Sequence, residues 1–485
     1  MTEIVIGLDL GTQGVRALAV DCKGEVLANA QESLPPGSTS LPAGWFEQNP
    51  QEWWDAVQAC LRKMGAILPG GTRIAGISID STSGTILPLG ANHNVLHPAL
   101  MYNDMRSEKQ AARVQAAAHA HQERFGFSFG SSYALTKLAW FKEERPEIFS
   151  QTQGFIHAAD FLVGKLSGEF IYSDTSNALK TGYDLIDFRW PDFIENELGI
   201  SIHLLPKIVP IGTQIGTVCR RAEEETGVPF GTPIYAGASD GTAAQIASGA
   251  AEPGDWNSTL GTTLVFKGVT RSLIADPLGR VYFHRHPEGW WMPGGASNTG
   301  TDWIMADQPG ADFSRLDKEA EGCLPTRLLR YPLSKPGERF PFIRPDARGF
   351  MLGEPSGAAE KYAAGMEGVA MIERLAYKTL AAIGLEVGER VYLTGGGVKS
   401  KLWTRIRASV LQKTLIQPMI TETAFGAAVI AANGCWYDSI SQASRAMVHA
   451  AQTTLAEPTW TAHYEEQYAR FTTELGKRGY LEPTR

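Results

Sequence analysis

Two stretches of the chain follow one plan. IVIGLDLGTQGVRALAVD (Ile4–Asp21) and DWNSTLGTTLVF (Asp255–Phe266) each run as a strand, a Gly-Thr corner and a second strand. One such hairpin in each half of a 485-residue chain asks for two sheets built alike, and the length supports two covered cores. The corners carry few side chains. Successive backbone N–H groups in such a corner point into one space and bind phosphate oxygens, and glycine permits the close approach. Thr12, Thr262 and Thr263 add hydroxyl donors. The plain alternative is that tight hairpins need glycine. Asp9, inside the first apolar run, sharpens the question, because a carboxylate at a strand end beside a phosphate nest can hold a magnesium ion or accept a substrate hydroxyl. Its plain alternative is capping of the turn.

The rest of the chain alternates in the same way. Ile4–Leu10 and Val15–Val20 read as strands, and a turn at 21–24 leads to a third over Glu25–Glu32. Asn49-Pro50 caps a helix that runs to about Met64. Ile74–Ile79 is a short β-branched strand of a covered sheet. Helices are expected near Ser107–Arg124, Leu135–Glu144 and Phe155–Leu166. A second round begins with a strand from Pro233 that ends in Ser239-Asp240-Gly241, followed by a helix over Thr242–Gly249. After the Asp255–Phe266 hairpin come a strand over Trp290–Gly295, a helix over Glu367–Ala382, a strand over Val391–Thr394 and a helix over Lys401–Leu411. This is an α/β chain of two covered-sheet domains, expected as 1–248 and 249–485.

Composition excludes several classes. A formal net charge of 44 − 52 = −8 argues against a nucleic-acid footprint. Hydrophobic residues at 43% and charged residues at 20% are those of an ordinary globular protein. Cys22, Cys60, Cys219, Cys323 and Cys435 are scattered with no CxxC pair, so neither a zinc site nor a disulfide framework is indicated. No basic leader and no long apolar run occurs, and a cytoplasmic protein without membrane association is expected. Gly395-Gly396-Gly397-Val398-Lys399-Ser400 lacks the spacing of a P-loop, and no GxGxxG follows a strand. Three glycines between a strand and a helix still suit a ribose or flat ring against bare backbone; a tight turn is the alternative. Asp240 is the candidate general base. It ends an apolar strand between Ser239 and Gly241, where small neighbours leave room for a hydroxyl whose proton it can take. Capping the following helix is compatible with that role.

Gly7–Ala17 (GLDLGTQGVRA), Gly237–Ala244 (GASDGTAA), Ser258–Thr263 (STLGTT), Leu393–Gln412 and Phe425–Ala432 (FGAAVIAA) together resemble the FGGY family of carbohydrate kinases, members of the actin-like, ribonuclease-H-like ATPase superfamily. The resemblance spans nearly the whole chain. It implies two actin-like domains around a central cleft, a sugar site mainly in the first and ATP mainly in the second. It implies ATP and Mg2+, with Asp9 and Asp240 as metal ligands. Thr12, Gln13, Arg16, Gly261, Thr262, Thr263, Gly396 and Gly397 become candidate ATP contacts. Family members are often dimers, so a homodimer is a further expectation.

The segment after the Ile74–Ile79 strand bears on the sugar. Xylulose kinases tend to carry Gly-Gln-Met-His-Gly there. This chain has Asp80-Ser81-Thr82-Ser83-Gly84-Thr85 and, with Tyr102-Asn103-Asp104 and the 173–184 stretch, is similar to D-ribulose kinases. Short hydroxyl and carboxylate side chains suit a polyhydroxylated pentulose. Asp9, Ser83, Asp104, Tyr133 and Asp240 are the substrate-binding candidates. Plain alternatives stand beside three of them: a turn residue at Ser83, an Arg106 pair for Asp104, a core aromatic at Tyr133. The expected reaction is ATP-dependent phosphorylation of the terminal hydroxyl of D-ribulose. The alternatives are a kinase for D-xylulose, L-ribulose, erythritol or glycerol and, from another class, an actin-like ATPase or a sugar-binding regulator. A chaperone-like ATPase would need a client-binding domain, and after Phe425–Ala432 only helical residues and a polar tail follow.

Overall fold

A computed structural model describes residues 2–37, 40–310 and 312–481. Contacts divide the chain into two units. The first holds Met1–Ala247, His284–Gly289 and Ile420–His449; the second holds Ser248–Phe283, Trp290–Met419 and Ala450–Arg485.

The sheet of the first unit contains β1 (Glu3–Leu10), β2 (Gly14–Val20), β3 (Val26–Ser33), β4 (Arg73–Ser81), β5 (Gln214–Thr217) and β6 (Pro233–Ser239), in the order β5-β6-β4-β1-β2-β3. Strands β1, β4 and β6 run parallel in its middle, while β2, β3 and β5 are antiparallel to their neighbours. Apolar side chains on both faces of β1 and β4 explain their central, covered position. The Pro50–Ile67 helix starts as its Asn49-Pro50 signal requires, with Asn49 Oδ1 accepting from Gln51 N at 3.0 Å. It buries Trp53, Trp54, Val57 and Leu61 in the core of this unit.

The sheet of the second unit contains β7 (Trp256–Leu260), β8 (Leu264–Gly268), β9 (Tyr282–Arg285), β10 (Trp291–Ser297), β11 (Arg390–Thr394), β12 (Thr414–Pro418) and β13 (Ala450–Thr454), in the order β9-β10-β8-β7-β11-β12-β13. Here β7, β11 and β12 are parallel, β8 and β10 continue the hairpin, and β13 closes the other edge antiparallel. Apart from β9, the order and directions repeat the first sheet strand for strand. The repeated Gly-Thr hairpin is the seed of each: β1-β2 in one, β7-β8 in the other.

Three elements differ from their sequence reading. The 155–166 stretch begins as a strand (Gly154–His157) and becomes a helix only at Ala158–Ser167, where the His157 ring and Asp160 form a reciprocal cap. The 107–124 stretch breaks at Ala118 into helices Glu108–Ala117 and His119–Phe125. The long helix of the second unit starts at Ala358, nine positions before the expected Glu367. Its Gly365 and Gly368, poor helix formers, are there because a Cβ would lie 2.3 Å from the Trp303 ring and 2.1 Å from Arg330 O.

Candidate active site

Strand register builds the site in the first unit. Asp9 of β1 stands opposite Asp80 of β4, and Ala238 and Ser239 of β6 stand opposite Asp80 and Ser81. The carboxyl ends of three parallel strands are therefore level, the position where open α/β sheets bind ligands. Asp240 follows directly as the first residue of the Asp240–Ser248 helix and is half-buried.

Asp80 is fully buried, and among the described residues no N–H or O–H is donated to either of its oxygens. Burial, then the negative charges of Asp9 and Asp240, pushes the Asp80 carboxyl well above the usual carboxylate range. Burial also raises Asp9, against a hydrogen bond from the Thr423 hydroxyl, with the Asp240 charge adding to the rise.

The first Gly-Thr corner is closed by Gly11 N to Gly14 O at 3.0 Å. Behind it, Gln48 Nε2 donates to Thr12 O at 2.7 Å, and Gln48 is held in turn by Trp53 Nε1 at 2.9 Å. Asp9, Thr12, Gln13, Arg16 and Tyr102 line one pocket of about 580 Å3 over this corner. Thr12, Gln13 and Arg16 are exposed there.

Asp240 is supported from below. Asp174, fully enclosed, accepts the Ser176 hydroxyl at 2.5 Å, and that hydroxyl accepts Ser239 N at 2.7 Å. The strand end that carries Asp240 is fixed by this relay. Asp240 Oδ1 accepts Gly241 N at 2.6 Å.

The sugar-candidate segment is a turn held by two lysines. Lys180 Nζ donates to Ser83 O at 3.1 Å, and the buried Lys137 Nζ donates to Gly84 O at 3.0 Å. Gly84 has φ +89°, and a Cβ there would lie 2.4 Å from Ser132 O, so only glycine fits. Tyr133, half-buried, stacks on Phe127 at 5.4 Å and meets Phe129 edge-on at 5.2 Å. Asp104 stands apart from the other candidates. It is fully buried, and its oxygens take Arg106 Nε, Arg106 Nη2, Arg106 N and Phe46 N at 2.6–3.0 Å. Its acceptors are spent on anchoring Arg106 and the 46 backbone, as the ion-pair alternative describes.

In the second unit the carboxyl ends of β7 and β11 are neighbours, with Thr259 opposite Thr394. This brings Gly261, Thr262 and Thr263 beside Gly396 and Gly397. Gly397 packs against the Leu260 side chain, while Gly396 faces open space. The corner closes through Gly261 N to Thr263 O at 3.0 Å and is propped by Thr301 N to Gly261 O at 2.8 Å. Glu338 fixes the segment before Thr301 by accepting Ser297 Oγ, Asn298 N and Thr299 Oγ1 at 2.6–2.9 Å.

Among the described residues no three acidic, histidine or cysteine side chains are disposed to cage a metal. Magnesium needs no such cage: it takes one or two carboxylates and keeps several waters. The half-exposed Asp9 and Asp240, hard oxygen donors within electrostatic reach of each other, fit that habit. Asp80, Thr423, Lys137 and Lys180 were not singled out from the sequence. The signal was present for Asp80, an aspartate closing an apolar strand just as Asp9 does.

Comparison with known proteins follows this geometry. The family model described as FGGY family of carbohydrate kinases, N-terminal domain, matches residues 4–247, and the C-terminal domain model of the same family matches residues 257–435. A protein named xylulose kinase from Bacillus subtilis is 27% identical over 469 residues, 93% of this chain and 92% of that one. A gluconokinase from the same organism is 26% identical over 453 residues, covering 89% and 87%. The crystal structure of xylulose kinase from Rhodospirillum rubrum, 26% identical, superposes with a TM-score of 0.86 over 98% of both chains.

Proposed function

The chain belongs to the FGGY family of carbohydrate kinases and is a sugar kinase, and from that premise we propose that it transfers the γ-phosphoryl group of ATP to the terminal hydroxyl of a ketopentose, D-ribulose, giving D-ribulose 5-phosphate and ADP. The observation that carries the reading is the placement of Asp240, half-buried at a strand carboxyl end, braced by the Asp174–Ser176 relay and level with Asp9 and Asp80 on the neighbouring strands.

Asp240 accepts a hydrogen bond from O5 of the sugar and takes its proton as the O5–Pγ bond forms and the bond from Pγ to the bridging oxygen of ADP breaks. Ser83 supplies a hydroxyl to the pentulose chain, and Tyr133 walls the same region. Thr12, Gln13 and Arg16 receive phosphate oxygens at the first corner. Gly261, Thr262 and Thr263 do so at the second, and Gly396 and Gly397 offer bare backbone to the nucleoside. Holding these groups in place is most of the catalysis, since the transferring phosphoryl needs positioning and charge stabilisation. A magnesium ion held by Asp9 and Asp240 supplies charge neutralisation for the phosphates when bound.

Support for D-ribulose comes from the Asp80–Thr85 segment, which departs from the Gly-Gln-Met-His-Gly of xylulose kinases. D-Xylulose is the second reading, favoured by the names of the relatives. Incubation with D-ribulose and Mg-ATP tests the proposal, with the product identified by phosphorus NMR. A monoester on O5 is expected. An ester on O1, or ADP formed with no sugar phosphate, overturns it.

A further inference from the structure

The two sheets differ at the position just before each Gly-Thr corner. β1 and β7 hold the same place in their sheets, as do β4 and β11. In the first sheet that position sets Asp9 opposite Asp80; in the second it sets Thr259 opposite Thr394. Two hydroxyls stand where the first sheet has two carboxyls.

The hydroxyls belong to a closed cycle of hydrogen bonds. Thr394 Oγ1 donates to Asn257 Oδ1 at 3.1 Å. A hydroxyl has one proton, so in the 2.7 Å contact between the two threonines Thr259 is the donor and Thr394 the acceptor. Asn257 Nδ2 donates to Thr259 Oγ1 at 3.3 Å and closes the cycle. Each of the three side chains both donates and accepts. Asn257 and Thr394 are buried, and Thr259 is half-buried. Alternation along β7 puts Ser258 on the opposite face. There its hydroxyl donates to Glu373 Oε1 at 2.6 Å and accepts Arg407 Nη2 at 2.8 Å. Glu373 and Arg407, from the Ala358–Ala382 and Lys401–Leu411 helices, are fully buried and paired at 2.7 Å. The strand is thus held by hydrogen bonds on both faces.

β1 shows that the fold does not need polar groups here, since Gly7 and Leu8 take the places of Asn257 and Ser258. Polar side chains in a covered strand are costly unless satisfied, and a satisfied network rigidifies what it joins. This one joins the two segments read above as the ATP contacts. β7 runs directly into the Gly261 corner, and β11 into Gly395-Gly396-Gly397. The two lie close together: a Cβ on Gly395 would stand 2.6 Å from Leu260 O.

We propose that Thr394 is a positioning residue for the phosphoryl donor. Through Asn257 and Thr259 it fixes the spacing between the corner that receives phosphate and the glycines that receive the nucleoside. The inference rests on the nucleotide reading of those residues given above.

The test compares the full chain as wild type, Thr394→Val and Thr394→Ser. It reads Mg-ADP affinity by calorimetry, the KM for ATP and for the sugar phosphorylated fastest, and a thermal melt. Valine keeps the shape and removes the hydroxyl. Thr394→Val is expected to weaken Mg-ADP binding and raise the ATP KM by roughly 10-fold, the weight of one or two hydrogen bonds, with the sugar KM unchanged. Thr394→Ser restores the hydroxyl and is expected to recover most of the affinity. Unchanged ADP affinity in a folded valine variant overturns the proposal. So does a parallel rise of the sugar and ATP KM, or a serine variant no better than valine. If Thr394→Val does not fold, Thr259→Val opens the cycle from the other strand and is read in the same way. If neither folds, the cycle is a determinant of the fold and the proposal is overturned. Thr262→Ala, inside the corner, separates two failures. ADP affinity lowered by Thr262→Ala but not by Thr394→Val overturns the positioning role alone. ADP affinity lowered by neither overturns the nucleotide reading as well.

Discussion

At the scale of single residues the account turns on which polar groups are spent and which are free to act. Asp104 has its oxygens filled by Arg106 and the backbone of Phe46. Among the described residues Asp240 takes its neighbour's N–H, at 2.6 Å, and no other hydrogen bond. Asp240→Asn should therefore lower kcat by at least ~100-fold, the lower range for a general base, with little change in melting temperature; steady-state kinetics beside a thermal melt checks both. Lys137 gives a pH prediction. Burial, reinforced by Lys180, pulls it from 10.5 down to about 7 in the folded protein. Between those values the unfolded chain binds the proton and the folded one does not, so this group makes stability rise with pH from about 7 to about 10.5. In Lys137→Met that part of the slope should vanish in chemical-denaturation curves taken across the range. Sequence reading marked Asp9, Asp240 and Ser83 as candidates because strand ends and Gly-rich corners are local signals. It did not mark Lys137 or Lys180, because what defines them is a carbonyl more than 50 or 90 residues away in the chain.

At the scale of elements, the middle strands are legible because a covered parallel strand is short, β-branched and apolar throughout. Boundaries were lost where a tertiary contact overrules propensity, as at Gly365 and Gly368 in the Ala358–Ala382 helix. The Thr423–Cys435 helix shows the same logic in reverse. It packs on β1 and β4, and its residues from Ala424 to Ala432 are all buried. A Cβ on Gly426 would stand 2.0 Å from Ala243 O, and one on Gly7 would stand 1.9 Å from Ala424 O. These are backbone atoms, which cannot swing aside. Gly426→Ala is expected to destabilise the protein by ~1–3 kcal/mol or more, read as a fall in the denaturation midpoint. An unchanged midpoint would mean that the helix does not sit this close to its neighbour.

At the scale of the whole molecule, the repeated hairpin announced two sheets of one plan, and the strand orders bear that out. What no local pattern showed is that the chain returns: Ile420–His449 belongs to the first unit, although it follows nearly all of the second. A fragment of residues 1–247 leaves one face of β1 and β4 without the Thr423–Cys435 helix. It should expose apolar surface, bind a hydrophobic dye and melt without a sharp transition, whereas the full chain should not. The family and its chemistry were readable because five separated motifs had to coincide; for the acceptor sugar the sequence offers one local segment, Asp80–Thr85, because the rest of such a pocket is gathered from distant segments. The most direct measurement is therefore kcat/KM with Mg-ATP over D-ribulose, D-xylulose, L-ribulose, erythritol and glycerol, against a control without sugar. The account predicts the highest value on D-ribulose and little ADP in the control. A maximum on D-xylulose would contradict the reading of Asp80–Thr85, and ADP release that no sugar stimulates would contradict the proposed phosphoryl transfer itself.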